Sequence, residues 1–485
     1  MKKVTKGFAP LVALALVAAA CGGDDAADEP ADAPAAADEP ADEPAAADEP
    51  ADEPADEPAD EPADEPADEP ADEPAEEPAE LLFDYGVSDD TIRVGMNADL
   101  SGPFASLVSQ IVEGQEVYWE MVNEMGGVAG REVELVILDN AYDVPTHLAN
   151  YEEMRVEDES GVVFFTESTG SPHTAATVDM LAEDNLLAIP LTWYSGWADP
   201  DLGANVVEIN ANYCIESMNG VEYLADTFDA ETIAIVSLAG EYGQDGASGA
   251  KLAAEALGLE IVYDGEGAIA GGDQTPIVTE LVAAQPDIVW MTTTPTTFAE
   301  IFGGSVAQGL QAQWSGNNPT YSYLLLNTAI ADALSAYYTQ SGYTALWGQN
   351  DSEGMALVVS EMQKRRPDAI FSDSYIRGFL EAMTAHQILE AAADAGDISR
   401  AGILEAFQSA EIDFMGLAPN QTWSGDPNDY IVRETYLYDI DASNFTPDAT
   451  VSDNDGGTGN VLVAGPYAGS AAEAYVWDGP CFVAG

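Results

Sequence analysis

Three histidines, His147, His173 and His386, are the first residues to weigh for catalysis or metal binding. They lie far apart in the chain, and each reads as a residue on a helix surface. Their spacing supports neither a metal cluster nor a Ser–His–Asp arrangement. The chain has no Gly-x-x-x-x-Gly-Lys phosphate loop, no Cys-x-x-Cys pair and no Gly-x-Ser-x-Gly elbow. Covalent catalysis needs a nucleophile held by a base, and no such pair emerges. The run Asp453-Asn454-Asp455-Gly456-Gly457 hints at calcium but lacks an acid at the twelfth loop position, so it reads as a polar turn. Binding chemistry remains, and no cofactor or metal is expected.

Charge narrows the partners. The chain has 88 Asp and Glu against 13 Lys and Arg, a formal net charge of −75. An acidic repeat at residues 24–80 holds 26 of those acids and no base, yet residues 81–485 remain strongly acidic. Such a surface repels nucleic acid and anionic headgroups, and it favours solubility in salt.

The N-terminus reads as an address and a tether. Met1–Lys6 is basic and Phe8–Ala20 is apolar. A helix of that length covers ~20 Å, short of the ~30 Å hydrocarbon core, which makes it a signal segment over residues 1–20. Val17-Ala18-Ala19-Ala20-Cys21-Gly22 resembles a bacterial lipobox, with Ala18 where Leu is usual, and implies cleavage before Cys21 and lipidation of its thiol. The alternative is an ordinary secretory signal with an incidental cysteine. Ala-Asp-Glu-Pro repeats then fill the linker at residues 21–80. Proline every fourth residue blocks helix and dense charge blocks collapse, so the segment reads as a disordered spacer reaching on the order of 150 Å. If Cys21 carries lipid, Cys214 and Cys481 remain, and an exported protein would join them as a disulfide; two separate buried thiols are the alternative.

From residue 90 the pattern alternates. Thr91–Ala98 reads as a strand, Glu113–Met125 as a helix stopped by Gly126-Gly127, Val133–Leu138 as a strand and Thr146–Asp158 as a helix. Gly161–Phe165, Ser171–Asp184 and Leu186–Pro190 continue as strand, helix and strand. A second set follows: Thr232–Leu238, Gln244–Ala256, Glu260–Tyr263, Thr275–Ala284, Asp287–Thr292 and Thr297–Gly309. Asp373–Gly396 and Arg400–Ala410 read as further helices, and the tail from Gln421 as strand-like and turn-rich. Strands alternating with helices predict α/β architecture with two doubly wound, Rossmann-like lobes.

Ile92–Gly130, with its Leu100-Ser101-Gly102-Pro103 and Asn123-Glu124-Met125-Gly126-Gly127 segments, resembles the opening of Leu/Ile/Val-type substrate-binding proteins of ABC transporters. Leu138–Pro145, Thr232–Gly249, Gln285–Met291 and Ser372–Gly396 continue the resemblance in order. It implies a type I periplasmic-binding fold with three hinge crossovers. Lobe one would take residues 90–211 and 347–416, and lobe two residues 212–346 and 417–485. The implied function is an extracytoplasmic, lipid-anchored binding protein that closes on a small amino acid or amide and delivers it to ABC permease subunits. A ligand-sensing surface receptor of the same fold is the open alternative. No enzyme activity is implied.

The resemblance also nominates contacts. Ser171, before Pro172, would offer its hydroxyl and the helix N-terminus to a carboxylate; the same residues also read as a plain N-cap. A carbonyl near Trp193 and the Ser195 hydroxyl would follow, just beyond a strand end. Tyr242 and Thr293 or Thr294 would close from the second lobe. Where amino-acid binders carry an acid for the ligand's ammonium, this chain places Asn318. Glu167 and Glu241 are candidate substitutes, and Tyr213, Tyr321, Tyr323, Tyr375 and Trp347 are further candidates for the cleft or the core.

Overall fold

The structure, a computed structural model, describes residues 81–453 and 457–483. The signal segment, Cys21, the acidic repeat and the centre of the Asp453–Gly457 run lie outside the described residues. Among the described residues no helix is long and apolar enough to cross a membrane.

The first sheet begins with β1 (Thr91–Ala98), α1 (Ala105–Glu124), β2 (Glu132–Asp139), α2 (Val144–Met154), β3 (Phe164–Ser168) and α3 (Ser171–Asp184). Its order is β2-β1-β3, all parallel, with Val94 opposite Leu135 and Phe164. Every residue of β3 is buried, as expected for a strand covered on both faces. Single parallel bridges, Phe165 to Ala188 and Ala188 to Val206, extend the edge. The expected strand at Leu186–Pro190 is therefore present only as bridged chain.

The second sheet follows α4 (Tyr213–Phe228). It is built from β4 (Thr232–Leu238), α5 (Glu241–Leu257), β5 (Glu260–Ile269), α6 (Thr275–Ala284), β6 (Ile288–Thr292), α7 (Pro295–Ala307) and β7 (Gln313–Gly316). The order β5-β4-β6-β7 is again parallel throughout. After α8 (Ala331–Tyr337), a bridge from Trp314 to Tyr338 leads to β8 (Thr339–Gly342). The chain then returns to the first sheet as α9 (Glu353–Arg365), α10 (Ser374–Asp394) and α11 (Arg400–Ser409), which share one apolar core with β1 and α1. The tail holds β9 (Glu411–Ile412), β10 (Gln421–Thr422), α12 (Pro427–Tyr430), β11 (Thr435–Phe445), β12 (Thr458–Tyr467) and α13 (Ser470–Ala474). Antiparallel pairing in the order β12-β11-β8 attaches it beside the second sheet.

The sequence reading differs from the structure elsewhere too: β3 runs Phe164–Ser168 rather than Gly161–Phe165, β5 extends to Ile269, and α8 was not expected. Helix α1 starts at Ala105, eight residues before the expected Glu113. Helices α4 and α9 were not expected. Helix α4 is buried almost all round, and its buried residues include Glu216, Asn219 and Glu222. Inward-facing polar residues erase the apolar stripe by which a helix is recognised. His147 and His173 are not on a helix surface: both are buried, with their rings 5.2 Å apart. Burial pushes their pKa values down to about 3 and about 4.

The structure pairs Cys214 with Cys481, joining the tail to the first turn of α4. The tail is held there by further bonds: the Trp477 indole donates to the Ser195 carbonyl and the Tyr194 hydroxyl to the Phe482 carbonyl.

Helices α1 and α10 pack at backbone distance. A Cβ at Gly378 would run into the Ile111 carbonyl oxygen, and one at Gly114 into the Tyr375 carbonyl oxygen. Backbone cannot yield as a side-chain tip can. Gly378→Ala should therefore lose stability by about 1–3 kcal/mol through overpacking, against a helix-propensity gain of about 1 kcal/mol. A denaturation midpoint that rose in the variant would show that the two helices do not depend on this contact.

Candidate functional site

A cavity of about 1050 Å³, including the space open to solvent at its mouth, lies among residues at the carboxyl ends of the parallel strands of both sheets. Thr169, Gly170 and Ser171 reach it after β3, Tyr242 after β4, and Asn318 after β7. Phe104, Leu107, Val108 and Ile111 line it at i, i+3, i+4 and i+7, so one face of the early part of α1 forms an apolar wall. Tyr213, Tyr321, Tyr323 and Tyr343 add aromatic surface with polar tips.

Four of the nominated contacts stand in this wall: Ser171, Trp193, Tyr242 and Asn318. The N-cap of α3 is Gly170, at φ 111, and not Ser171. The Ser171 hydroxyl is thus released from capping and lies 2.5 Å from the Thr192 hydroxyl. Both contact the Tyr213 hydroxyl, whose pKa burial drives upward. The Trp193 indole donates to the Ile209 carbonyl at 2.9 Å. Its ring stacks on Tyr343 at 4.6 Å, and the Arg377 guanidinium sits 4.5 Å from the ring centre. The Tyr242 hydroxyl donates to the Thr293 carbonyl at 2.8 Å.

Three nominated residues are placed elsewhere. Ser195 is buried away from the wall, where its hydroxyl donates to Asp245 at 2.5 Å and accepts from the Cys481 N–H. Thr293 lies a layer behind Tyr242 and Thr294 caps α7, so neither lines the cavity. Tyr375, whose hydroxyl donates to the Ile370 carbonyl, and Glu241 are also off the wall. Glu167 is buried and accepts from the Thr169 hydroxyl.

The acid nearest Asn318 is Glu216, which the sequence reading missed. Its Oε1 accepts the Asn318 N–H at 2.8 Å and faces the Ser341 hydroxyl at 2.5 Å. Its Oε2 accepts from the Asn317 amide at 2.8 Å and the Tyr343 hydroxyl at 2.6 Å. Glu216 does not line the cavity; it anchors residues that do. Burial pushes its pKa up to about 7. The geometry accommodates both protonation states. The Ser341 hydroxyl also lies 2.7 Å from the Gly316 carbonyl and has one proton to give. It serves Glu216 when that carboxyl is ionised. It serves Gly316 when Glu216 is protonated and becomes the donor.

The charged residues on the wall are Asp373 and Arg377. Asp373 accepts the Trp347 N–H at 2.9 Å, the Thr458 hydroxyl at 2.5 Å and the Asn460 amide at 3.3 Å. Arg377 donates from Nε to Glu381 at 3.0 Å and from Nη1 to Asn210 at 2.8 Å. Its Nη2 is buried without a partner. Burial pushes Glu381 up to about 7, opposed by Arg377. Arg377 was missed because α10 reads as Ala-rich packing. The usable signal was rarity, since Lys and Arg together number 13 in the chain.

Two parallel α/β sheets, with a ligand-sized cavity at their strand ends and no nucleophile–base pair on its wall, define a solute-binding class of protein. A family model described as "Periplasmic binding protein" matches residues 91–444, and the chain belongs to that family. Leu/Ile/Val-binding protein homolog 3 of Brucella melitensis is 27% identical over 225 residues, 45% of this chain and 55% of that protein. The leucine-, isoleucine-, valine-, threonine- and alanine-binding protein of Pseudomonas aeruginosa is 26% identical over 185 residues, 37% of this chain and 48% of that protein. The chain thus spans about half the length of these curated relatives. A solved fatty acid ABC transporter substrate-binding protein from Thermomonospora curvata has a TM-score of 0.71 and 25% identity, covering 81% of this chain and 97% of that one. A branched-chain amino acid ABC transporter protein from Thermus thermophilus with bound valine has a TM-score of 0.66 and 18% identity, covering 80% and 99%. The fold is that of type I periplasmic binding proteins, and these relatives are binding proteins rather than enzymes.

Glu216, Asp245 and Glu381 are each raised to about 7 by burial. The folded state therefore holds protons that the unfolded state releases near pH 4–4.5, and stability falls as pH rises through 7. His147 and His173, lowered by burial, oppose this below their unfolded pKa of about 6.5 and progressively less over the next unit, where the three carboxyls outweigh them. Between pH 6.5 and 7.5, in high salt to screen the net charge, the denaturation midpoint should be higher at 6.5. Glu216→Gln should flatten that slope, and an unchanged slope would remove Glu216 from the titrating set.

Proposed function

We propose that this protein is the extracytoplasmic binding component of an ABC importer and encloses a small organic solute in the cavity described above. The observation that carries the reading is that cavity: it draws its wall from the strand ends of both sheets, so a solute inside would contact both and favour their closure. We divide the chain into lobes at residues 90–211 with 347–416, and 212–346 with 417–485. Distinct apolar clusters around α10 and α11 and around α7 support that division, and a third cluster bridges it by packing Met96 and Val108 with Ile235 and Trp290. Cys21 is the lipid attachment point in this reading, and residues 21–80 hold the binding domain away from the membrane. The Cys214–Cys481 pair fits an oxidising compartment. The relatives support import as the destination: their descriptions name amino acids in some cases and fatty acids in another, within one fold.

A thermal-shift screen over amino acids, amides and carboxylates tests the reading. A bound solute at about 100 times its Kd adds about 2.7 kcal/mol of stability and raises the melting midpoint by several degrees. If no compound in any of the three classes moved the melt, the binding role would be lost.

A further inference from the structure

The cavity's chemistry points to a narrower class of solute, on the reading that this cavity is the solute site. An α-amino acid needs an anionic partner for its ammonium. Asn318, at the position where that acid was expected, presents an amide whose Nδ2 donates to the Ser341 carbonyl at 3.1 Å. Glu216 stands behind it with all its acceptor positions engaged by Asn317, Asn318, Ser341 and Tyr343. Asp373, the carboxyl on the wall, is engaged by three donors. The carboxylate on the wall is thus largely taken up by the chain's own donors, with one acceptor position left on Oδ1.

Arg377 stands in the opposite condition. Its guanidinium is permanently charged and carries five N–H donors. Glu381 and Asn210 take two, and Nη2 has no partner. The ring of Trp193 covers one face of the group, which leaves the in-plane edge for an acceptor. A carboxylate is the acceptor matched to that edge, because charge-assisted bonds to guanidinium are stronger than neutral ones.

The wall that α1 contributes is apolar, while hydroxyls and amides such as Ser171, Asn318 and Gln340 line other parts of the cavity. Phe104, Leu107, Val108 and Ile111 present a continuous hydrocarbon face from α1. From Phe104 to Ile111 that face spans seven positions, about 10 Å at 1.5 Å per residue, which is the length of a chain of several methylenes.

We propose that the cavity takes a monocarboxylate on a long apolar body, without an α-ammonium group, and that Arg377 determines this specificity by receiving the carboxylate. The α1 face contacts the apolar body. Affinity then rises with chain length and depends on the anionic head.

The test is titration calorimetry on the folded chain with decanoate, butyrate, decanamide and leucine. Decanoate should bind at least about tenfold tighter than decanamide and than leucine, the effect of a charge-assisted head. Each added methylene between butyrate and decanoate should tighten binding roughly fourfold until the cavity is filled. Arg377→Met should collapse the decanoate-to-decanamide ratio toward one, whereas a merely structural role would weaken both ligands alike. Leu107→Trp, at a half-buried position, should weaken decanoate more than butyrate, and it tests the apolar wall without touching Arg377. Leucine binding as tightly as decanoate would overturn the inference and leave the solute-binding role standing. Equal affinity for decanoate and decanamide would overturn the assignment to Arg377. Failure of all four ligands, while the broader screen still finds a solute, would overturn the class alone. Failure of that screen as well would take the binding role with it.

Discussion

The Glu216 carboxyl joins elements far apart in sequence: α4, which carries it, the Asn317–Asn318 turn after β7, Ser341 in β8, and Tyr343 beyond it. Burying a carboxylate costs several kcal/mol, and hydrogen bonds to a charged group return about 1.5–3 kcal/mol each. The raised pKa says that desolvation still outweighs the bonds made to the ionised form. Such a group is costly to strand and strongly fixes geometry. Tyr343 held at Glu216 is also the ring that stacks on Trp193, and Trp193 in turn carries Arg377 on its other side. One side of the cavity is thus a chain of contacts running from a buried acid to a buried base.

The acid-rich composition gives the few bases particular weight. Lys364 and Arg365 on α9, and Arg366 at its C-cap, meet Glu124 and Glu120 on α1. Those pairs are largely exposed on the acidic side, so each contributes about 0–1 kcal/mol and less in salt. The docking of α9 rests instead on Met355, Val358 and Met362, all buried in the shared core. Arg400 is nearly fully buried and satisfies the Val162, Arg155 and Val156 carbonyls. Bases buried in this way do not offset the surface charge locally. The exterior therefore stays acidic while the interior uses cations as multi-donor fasteners.

Period and punctuation made most of the sheet frame legible. Thr91–Ala98, Ser171–Asp184, Thr232–Leu238 and Thr275–Ala284 have the same limits in sequence and structure. Each is either a β-branched run or a stretch with a clear stop, such as Asn185 in the left-handed region closing α3. Residues whose role depends on a distant partner were not legible. Helix α4 hides because its polar residues point inward to groups more than a hundred positions away. The first two turns of α1 lie ahead of the helix expected from Glu113, although Phe104, Leu107, Val108 and Ile111 have helical spacing. Ser195 looked like a cleft hydroxyl because Asp245, its partner, lies fifty residues on and shows no local pattern with it.

Asn318 shows how sequence and structure complement each other. From the sequence it marks a missing charge. In the structure an acid is present within reach of its backbone, one layer back and fully engaged. The distinction is between recognition and support. A carboxylate on a wall with an open side selects a cation, whereas the same group behind the wall selects only the shape of the loop it holds. Moving the acid off the surface leaves a wall that is neutral except at Asp373 and Arg377, and of these two only Arg377 has an unpaired polar atom. Electrostatic preference in a low-dielectric cavity is set by whichever charge remains incompletely satisfied, because a satisfied ion has already exchanged its water for fixed partners. That group is a cation, Arg377, which Glu381 meets at 3.0 Å on its Nε side while Nη2 keeps its donors, although the chain as a whole is strongly negative.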